Sequence, residues 1–254
     1  MGNHSSDPAQ VEIKFIFADA EITKALTAFH LDGTGLLRTV TFFDTSDRQL
    51  FRGHSTRNDV KVILRARFND GKKNGKTTVK IRTTEKLDAA LQSDDSVGAK
   101  REFDFAFGKN LLDSYSLDHE EEATEISAVL TRQRSVKKVF NHLQQSLVES
   151  MAGKDFGWSD LRIFGPVSRI QVWENISLAG INPPATVELW QLPASEPGEE
   201  RRILELSVRT ELEEQTPMVD RLLEFLKKSG LTPSTTETKT QIVLEHFSPG
   251  TIAK

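Results

Sequence analysis

Apolar and polar residues alternate with a period of two along much of this chain, and this alternation predicts β-strands. In the first such stretch, Val11, Ile13 and Phe15 form an apolar face, whereas Glu12 and Lys14 lie on the opposite face. The remaining predicted strands lie near 37–44, 60–68, 78–82, 99–107, 167–173, 186–192, 202–210 and 239–244. Several of these predicted strands have one apolar face and one largely ionic face.

A turn sequence joins two of these strands into a predicted hairpin. Asn69-Asp70-Gly71 follows the strand at 60–68, and such residues are typical of a tight connection between antiparallel strands. One face of this hairpin carries only cations among its charged residues: Lys61, Arg65, Arg67, Lys80 and Arg82. Because like charges on facing strands destabilise a sheet, this face requires negative charge nearby.

A helical period replaces the alternation in three places. The first helix follows Asp19 as its cap, and the last begins at Thr216-Pro217 and ends at Gly230. Between them, a helical insert is predicted over 118–152. Asp118 is its expected cap, and the acidic residues that follow are typical of a first helical turn, where they favour the helix dipole.

Eight or nine strands without regular βαβ alternation predict an α+β fold, with an antiparallel sheet or barrel and covering helices. We expect one domain over 10–246, preceded by a polar leader at 1–9 and followed by a tail at 247–254. The stretches 87–98 and 194–200 are predicted to be exposed loops.

Composition narrows the classes of function. The chain has 254 residues, of which 37% are hydrophobic and 28% charged, and its formal net charge is -4. We therefore expect a soluble globular protein without a nucleic-acid partner, in which any anion site is local. There is no cysteine, and the six histidines are scattered, so any metal is expected to have oxygen ligands.

The sequence also permits a prediction of the cellular location and the oligomeric state. No stretch approaches the roughly 18 apolar residues of a membrane span, and the N-terminus lacks the apolar core of a signal peptide. We therefore expect a cytoplasmic protein without a membrane partner, as a monomer or a homodimer.

The ionic strand faces allow two interpretations. Each face could simply meet water, as one side of an antiparallel sheet commonly does. Alternatively, the sheet closes and the charges converge inside it, where they must be paired, bound to metal or bound to ligand. Carboxylates of the same kind of face come from other strands: Glu12, Glu102, Asp104 and Glu205. In the second case, the interior would suit a polyphosphate, which Arg and Lys bind, together with Mg²⁺ or Mn²⁺.

A series of short motifs resembles the CYTH, or triphosphate tunnel metalloenzyme, superfamily. In chain order they are Gln10-Val11-Glu12-Ile13-Lys14, Phe42-Phe43-Asp44-Thr45-Ser46-Asp47, Leu64-Arg65-Ala66-Arg67, Thr78-Val79-Lys80, Lys100-x-Glu102-x-Asp104, Arg169, Glu205 and Thr238-Lys239-Thr240. Each motif is short, but their order matches the family across residues 10–241. The resemblance implies a closed β-barrel whose charged interior binds a phosphorylated small molecule.

The resemblance also implies roles for individual residues. It implies phosphate binding by Lys14, Arg65, Arg67, Lys80, Arg169 and Lys239, to which the ionic strand faces add Lys61, Arg82 and Arg209. It implies Mg²⁺ or Mn²⁺ at Glu12, Glu102 and Glu205, with Asp104 assisting. Within these sets, Lys80, Arg65 and Glu205 are the expected catalytic residues.

Two positions depart from the family pattern. Gln10 stands where a first glutamate is expected, and Ser207 stands where a second glutamate of the strand at 202–210 is expected. Since an amide binds hard cations less well than a carboxylate, these changes favour weaker metal binding or one metal instead of two.

Several functions therefore stay open. The leading hypothesis is a divalent-metal-dependent hydrolase of inorganic triphosphate, thiamine triphosphate or a nucleotide. One alternative is a non-catalytic protein that binds polyphosphate or a phosphometabolite. Another is a lyase or cyclase that acts on ATP or another organic di- or triphosphate. The last is a structural domain with solvated ionic faces.

Overall fold

A computed structural model describes residues 9–31, 33, 35–53, 60–194 and 200–248 of the chain. Nearly all of the predicted leader at 1–9, most of the predicted tail at 247–254 and most of the predicted loop at 194–200 lie outside these residues. Among the described residues, no helix is both long and apolar enough to cross a lipid bilayer.

Nine strands among the described residues form one closed barrel. They are β1 (Gln10–Phe17), β2 (Leu36–Thr45), β3 (Lys61–Asn69), β4 (Asn74–Thr83), β5 (Ala99–Ala106), β6 (Leu112–Glu122), β7 (Leu161–Ile176), β8 (Ala185–Leu192) and β9 (Arg201–Glu211). Around the barrel the order is β1-β5-β6-β4-β3-β2-β7-β8-β9, and β9 pairs with β1 to close it.

The closed α+β barrel confirms the predicted fold class. The predicted hairpin is confirmed as β3 and β4, in which Arg65 pairs with Thr78. The barrel is mixed because β1 and β5 are parallel, whereas the other pairings are antiparallel. This parallel pair places Glu12 directly beside Asp104.

Six α-helices surround the barrel in the described part of the chain: α1 (Asp19–Ala28), α2 (Gln49–Arg52), α3 (Ala123–Leu130), α4 (His142–Met151), α5 (Gln215–Lys228) and α6 (Lys239–His246). Helices α1 and α5 cover the outer apolar face of β1, β8 and β9, in a core that contains Ile13, Leu206 and Leu222. Helices α3 and α4 cover the outer face of β3, β4 and β6, in a core with Leu64 and Val79. The outward-facing apolar residues are thus buried under helices, while the inward-facing positions carry the ionic residues and a third apolar cluster that includes Ile16 and Trp190.

One predicted helix start is a strand. The prediction of a helix with Asp118 as its cap was wrong for residues 118–122. These residues continue β6, and the helical part begins only at Ala123. Strand β6 could not be predicted from an alternation of apolar and polar residues, because both of its faces carry polar residues. Asp113 points outward and Ser114 and Ser116 point inward, yet all three are buried.

One predicted strand is a helix. Residues 239–244 lie in α6, which begins after Thr238, whose hydroxyl accepts a hydrogen bond from the backbone N–H of Gln241. Ile242, Val243 and Leu244 are all buried in the same cluster as the inward-facing Ile16 and Trp190. Three consecutive buried residues suit a short helix that is covered on several sides at one end of the barrel, so the period-2 interpretation was wrong.

The Phe42–Asp47 motif has a structural function here. The Asp44 carboxylate accepts hydrogen bonds from the backbone N–H groups of Thr45, Leu50 and Phe51 at 2.7 to 3.0 Å. Burial raises the pKa of Asp44 to about 6, although these hydrogen bonds act in the opposite direction. Asp44 thereby fixes the start of α2 against the end of β2.

Candidate anion and metal site inside the barrel

The inward-facing residues of the strands line a cavity of about 620 Å³. Eleven of the lining residues are cationic and seven are acidic, so the cavity carries an excess of four positive charges in a chain whose net charge is -4. The cations are Lys14, Arg38, Lys61, Arg65, Arg67, Lys80, Arg82, Lys100, Lys109, Arg209 and Lys239, and the acids are Glu12, Glu102, Asp104, Asp118, Glu174, Glu188 and Glu205. The charged faces therefore converge, and the interpretation in which they only meet water was wrong.

Arg65, on the wall formed by β3 and β4, has no ion pair among the described residues. Its Nη2 is 3.5 Å from the Thr78 hydroxyl, and its Nε is buried without a hydrogen-bond acceptor among the described residues. Burial, followed by the charge of Arg67, lowers the pKa of Arg65 to about 10. A buried guanidinium without an ion pair favours an anionic ligand, since burying an unpaired charge is costly.

Three carboxylates meet on the neighbouring strands β1 and β5, and we call Glu12, Glu102 and Asp104 the acidic trio. Their ligand oxygens lie within 4.8 Å of one another. The parallel pairing of β1 and β5 brings Glu12 beside Asp104, and Glu102 lies two residues away on the same face of β5. Residues that are ninety positions apart in the sequence thus form one compact group.

Lysine and arginine side chains neutralise the acidic trio. Lys14 is 2.6 Å from Glu12 and 2.5 Å from Asp104, and Lys80 is 3.1 Å from Glu102 and 2.7 Å from Asp104. Arg82 donates from Nε to Asp104 at 2.8 Å, Arg209 contacts Glu12 at 2.8 Å, and Lys100 pairs with Glu102.

These cations keep the acidic trio ionised. Burial by itself would raise the pKa of Asp104, but Arg82, Lys14 and Lys80 hold it well below its usual range. The pKa of Glu12 is lowered in the same way, since Lys14, Arg209 and Lys80 outweigh its burial. In Lys14, Asp104 and Glu12 outweigh burial and raise the pKa of the ammonium group.

The acidic trio fits a divalent cation. Mg²⁺ and Mn²⁺ prefer carboxylate, water and phosphate oxygens, and three ionised carboxylates offer such atoms within one short span. Glu12, Glu102 and Asp104 are the residues that would hold the ion. Glu205, the fourth expected metal ligand, does not belong to this group.

A second group of carboxylates is already paired, and we call Glu188 and Glu205 the acidic pair. The two residues are register partners on β8 and β9. Lys239 of α6 bridges them, in contact with Glu188 and at 2.6 Å from Glu205, and its ammonium lies 4.7 Å from the Trp190 ring centre. Glu188 also accepts hydrogen bonds from Trp190 Nε1 at 2.9 Å and from Arg38 at 3.3 Å.

Sequence reasoning did not select Glu188 as a site residue. A usable signal existed, because Thr186 and Glu188 alternate with Val187 and Leu189, as inward and outward residues of a barrel strand do. Arg38, Lys100, Lys109, Asp118 and Glu174 also line the cavity without having been assigned a role there.

Of the residues expected in the site, Arg169 is the one outside the cavity, and its assignment was wrong. Arg169 is exposed on β7 and adopts a left-handed φ of 58°. From Val40 to Arg38, β2 advances by two residues while β7 advances by three, from Val167 to Ile170. This bulge shifts the alternation of inward and outward side chains. The period of two along the sequence therefore does not predict which way the side chain of Arg169 points.

The two departures from the family pattern lie in different places. Ser207 lines the cavity and is the register partner of Lys14. Gln10 lies at the start of β1 opposite Glu211 and is not among the cavity-lining residues. Only the change at Ser207 therefore bears directly on the cavity.

Comparison with known proteins finds the fold but no close relative. No family model and no curated protein matches the chain. A solved structure of a candidate adenylate cyclase from Bacillus halodurans has a TM-score of 0.56 at 15% sequence identity, over 92% of this chain and 97% of that one. HpAC1 from Hippeastrum, a candidate adenylyl cyclase with a dominant triphosphatase activity, has a TM-score of 0.53 at 14% identity, over 94% and 97%. Both share the overall fold along nearly their whole length.

Proposed function

We propose that this chain, which has the closed-barrel fold of the CYTH superfamily, is a divalent-metal-dependent hydrolase of a triphosphate-containing small molecule. The observation that carries the proposal is one cavity that holds both Arg65, whose Nε is buried without a hydrogen-bond acceptor among the described residues, and an ionised acidic trio. The arginine suits phosphoryl oxygens, and the acidic trio suits a hard cation.

The charge of the cavity supports a ligand with several negative charges. An excess of four cationic residues would be balanced by a triphosphate, whereas a single carboxylate or phosphate would leave much of it unbalanced. The ligand's phosphoryl oxygens would lie against Arg65, Arg67 and Lys80, with further contacts from the remaining cations.

The residues would have distinct parts in hydrolysis. Arg65 and Lys80 would stabilise the charge that develops on the phosphoryl oxygens as water attacks the terminal phosphorus in line with the leaving oxygen. Glu205 would contribute by holding Lys239 inside the cavity. A divalent ion at the acidic trio would supply electrostatic stabilisation of phosphoryl oxygens when it is bound.

The cavity wall favours inorganic triphosphate over ligands with a large aromatic group. Phe42 is the one aromatic residue among the described lining residues, and its side chain is almost fully buried. A nucleobase or a thiamine ring would therefore find little aromatic surface for stacking. We expect inorganic triphosphate to have the highest kcat/KM.

Two other functions each have an observation in their favour. The name of the Bacillus halodurans neighbour favours a cyclase that acts on an organic triphosphate, whereas that of HpAC1, with its dominant triphosphatase activity, favours the hydrolase. The ion pairs that already neutralise the acidic trio, together with Ser207 in place of a carboxylate, favour a protein that binds polyphosphate without turnover.

One assay separates these functions. Purified protein is incubated with inorganic triphosphate, thiamine triphosphate or ATP in the presence of Mg²⁺ or Mn²⁺, and orthophosphate and pyrophosphate are measured. We expect orthophosphate release, and we expect Arg65→Met to lower kcat/KM on the order of 10²- to 10³-fold, because it removes a charge that acts on the transition state.

Arg162→Met is the matched control. It removes an exposed arginine of β7 that does not line the cavity, so we expect it to retain the wild-type rate. Pyrophosphate without orthophosphate would indicate a cyclase or lyase. A rise in melting temperature with triphosphate but without any product would indicate a binding protein.

A further inference from the structure

Asp118 is a fixed anion among the cations of the β3–β4 wall. It lies on β6 as the register partner of Thr78, which in turn is the register partner of Arg65 on β3. Arg65, Thr78 and Asp118 thus form a row across three neighbouring strands, and all three line the cavity.

Asp118 contacts two groups that line the cavity, Thr78 and Arg67, and also Lys76. The Thr78 hydroxyl donates to Asp118 Oδ1 at 2.7 Å, and Lys76 Nζ lies 3.2 Å from Oδ2. Arg67 Nη2 lies 4.0 Å from the same oxygen. One hydroxyl donor and two cations around two oxygens resemble the surroundings of a bound phosphoryl group.

The charge of Asp118 is held in place by these neighbours. Burial would raise the pKa of Asp118, but the Thr78 hydrogen bond and the charges of Arg65, Arg67 and Lys76 lower it. Asp118 is therefore ionised at neutral pH, where it repels any anion that approaches the same groups.

We propose that Asp118 is an internal counter-anion that competes with the phosphorylated ligand for the cavity-lining groups Thr78 and Arg67. In the ligand-free protein it keeps these groups arranged at one end of the cavity. A bound polyphosphate takes over their contacts and must overcome the charge of Asp118, which therefore limits affinity. This inference rests on the proposed function, since it requires a polyphosphate in the cavity.

A purely structural function for Asp118 predicts the opposite sign. If Asp118 only fixed the hairpin and oriented its cations, then loss of its charge would leave ligand binding unchanged or weaken it. If Asp118 competes with the ligand, then loss of its charge strengthens binding even where it lowers the stability of the ligand-free protein.

The test is isothermal titration of the full chain with tripolyphosphate in the presence of EDTA, which measures binding without turnover. Asp118→Asn keeps an oxygen that accepts the Thr78 hydrogen bond and removes the charge. We expect its Kd to be roughly tenfold lower than that of the wild type, since a like charge at contact distance is removed. Asp118→Ser also removes the charge and keeps an oxygen, that of its hydroxyl group, near Thr78. This variant is measured if Asp118→Asn does not fold.

Glu120→Gln is the matched control, because it removes one negative charge from the same strand outside the cavity. Its Kd is expected to stay within about twofold of the wild type, since an exposed charge interacts weakly. A wild-type protein that binds tripolyphosphate neither in EDTA nor in the presence of Mg²⁺ would overturn the proposed function and this inference together. A wild type that binds, with equal or weaker binding by the uncharged variants, would overturn this inference alone.

Discussion

The acidic trio and the acidic pair are built from the same residue types on the same barrel interior, yet they differ in what neutralises them. The acidic trio is surrounded by strand residues such as Lys14, Lys80 and Arg82, which share three carboxylates within 4.8 Å. The acidic pair is bridged by a single ammonium group, that of Lys239, which comes from a helix.

An inward-facing carboxylate is thus not by itself a metal ligand. The acidic trio offers three carboxylates within 4.8 Å and is compact enough to take a divalent ion in exchange for its contacts with Lys14 and Lys80. In the acidic pair, Lys239 already stands between Glu188 and Glu205, where a cation would bind.

The largest effect is expected from Lys239→Met, which removes the cation that bridges the acidic pair. All three side chains are largely buried, and loss of one partner from a buried ion pair costs about 3–5 kcal/mol of unfolding free energy. Urea denaturation measures this loss. We expect Mn²⁺ to restore stability to the variant, because a divalent ion can then bind between Glu188 and Glu205.

Lys228→Met is the control for this variant, since it breaks an exposed pair with Glu224 on α5 and is expected to leave the unfolding free energy unchanged. If Mn²⁺ stabilised Lys239→Met no more than it stabilises the wild type, then the ammonium group of Lys239 would not occupy a site that can bind a divalent metal ion.

A smaller effect is expected from Glu102→Gln, which removes one carboxylate from the acidic trio. We expect its Mn²⁺ affinity to fall roughly 10- to 100-fold, at least as much as the loss of an outer-shell partner of a metal site. Electron paramagnetic resonance of free Mn²⁺ during a titration measures this affinity.

Glu205→Gln provides the comparison within the same cavity. Because Glu205 is held by Lys239 and lies outside the acidic trio, we expect this variant to retain the wild-type Mn²⁺ affinity within about threefold. A larger loss with Glu205→Gln than with Glu102→Gln would place the ion at the acidic pair instead.

The most gradual effect is a pH dependence that originates in Glu188. Burial alone would raise the pKa of Glu188, but Lys239, the Trp190 hydrogen bond and Arg38 lower it from 4.5 to about 2. A carboxyl group whose pKa is lower in the folded than in the unfolded state stabilises the fold above the unfolded value, and this contribution disappears as the pH falls. Between pH 4.5 and about 2, this one group should therefore lower the unfolding free energy by at most about 1.4 kcal/mol per pH unit.

Other buried carboxylates act in the same acidic range, so Glu188→Gln is needed to isolate the contribution of Glu188. The difference in unfolding free energy between this variant and the wild type should shrink as the pH is lowered through this range. A difference that stays constant would show that Glu188 does not titrate with the lowered pKa.

Much of the fold could be predicted from the sequence, because most strands have one apolar face that is buried and an opposite face that carries charged residues. The hairpin of β3 and β4, the strand β1 and the ionic face of β5 could be predicted from their alternation alone. The two misassigned segments lack this contrast. Strand β6 has polar residues on both faces, and α6 has three consecutive buried residues that fit a strand or a helix equally well.

The same reasoning explains the errors in the site. Lys14, Lys80 and Asp104 follow strand parity and were found, whereas Arg169 lies at a bulge that shifts the parity of β7. Asp118 was assigned to a helix because an acidic run is typical of a helix start, and only its pairing with Thr78 reveals it as an inward-facing residue.

Side-chain alternation along the strands specified which charged residues share a face, but it left open whether those faces converge or meet water. Tertiary structure alone decided which charges meet. The parallel pairing of β1 and β5 assembles the acidic trio, and α6 brings Lys239 to the acidic pair. The physical reason is that side-chain alternation is a local property of the backbone, whereas ion pairing depends on distances that exist only once the barrel has closed.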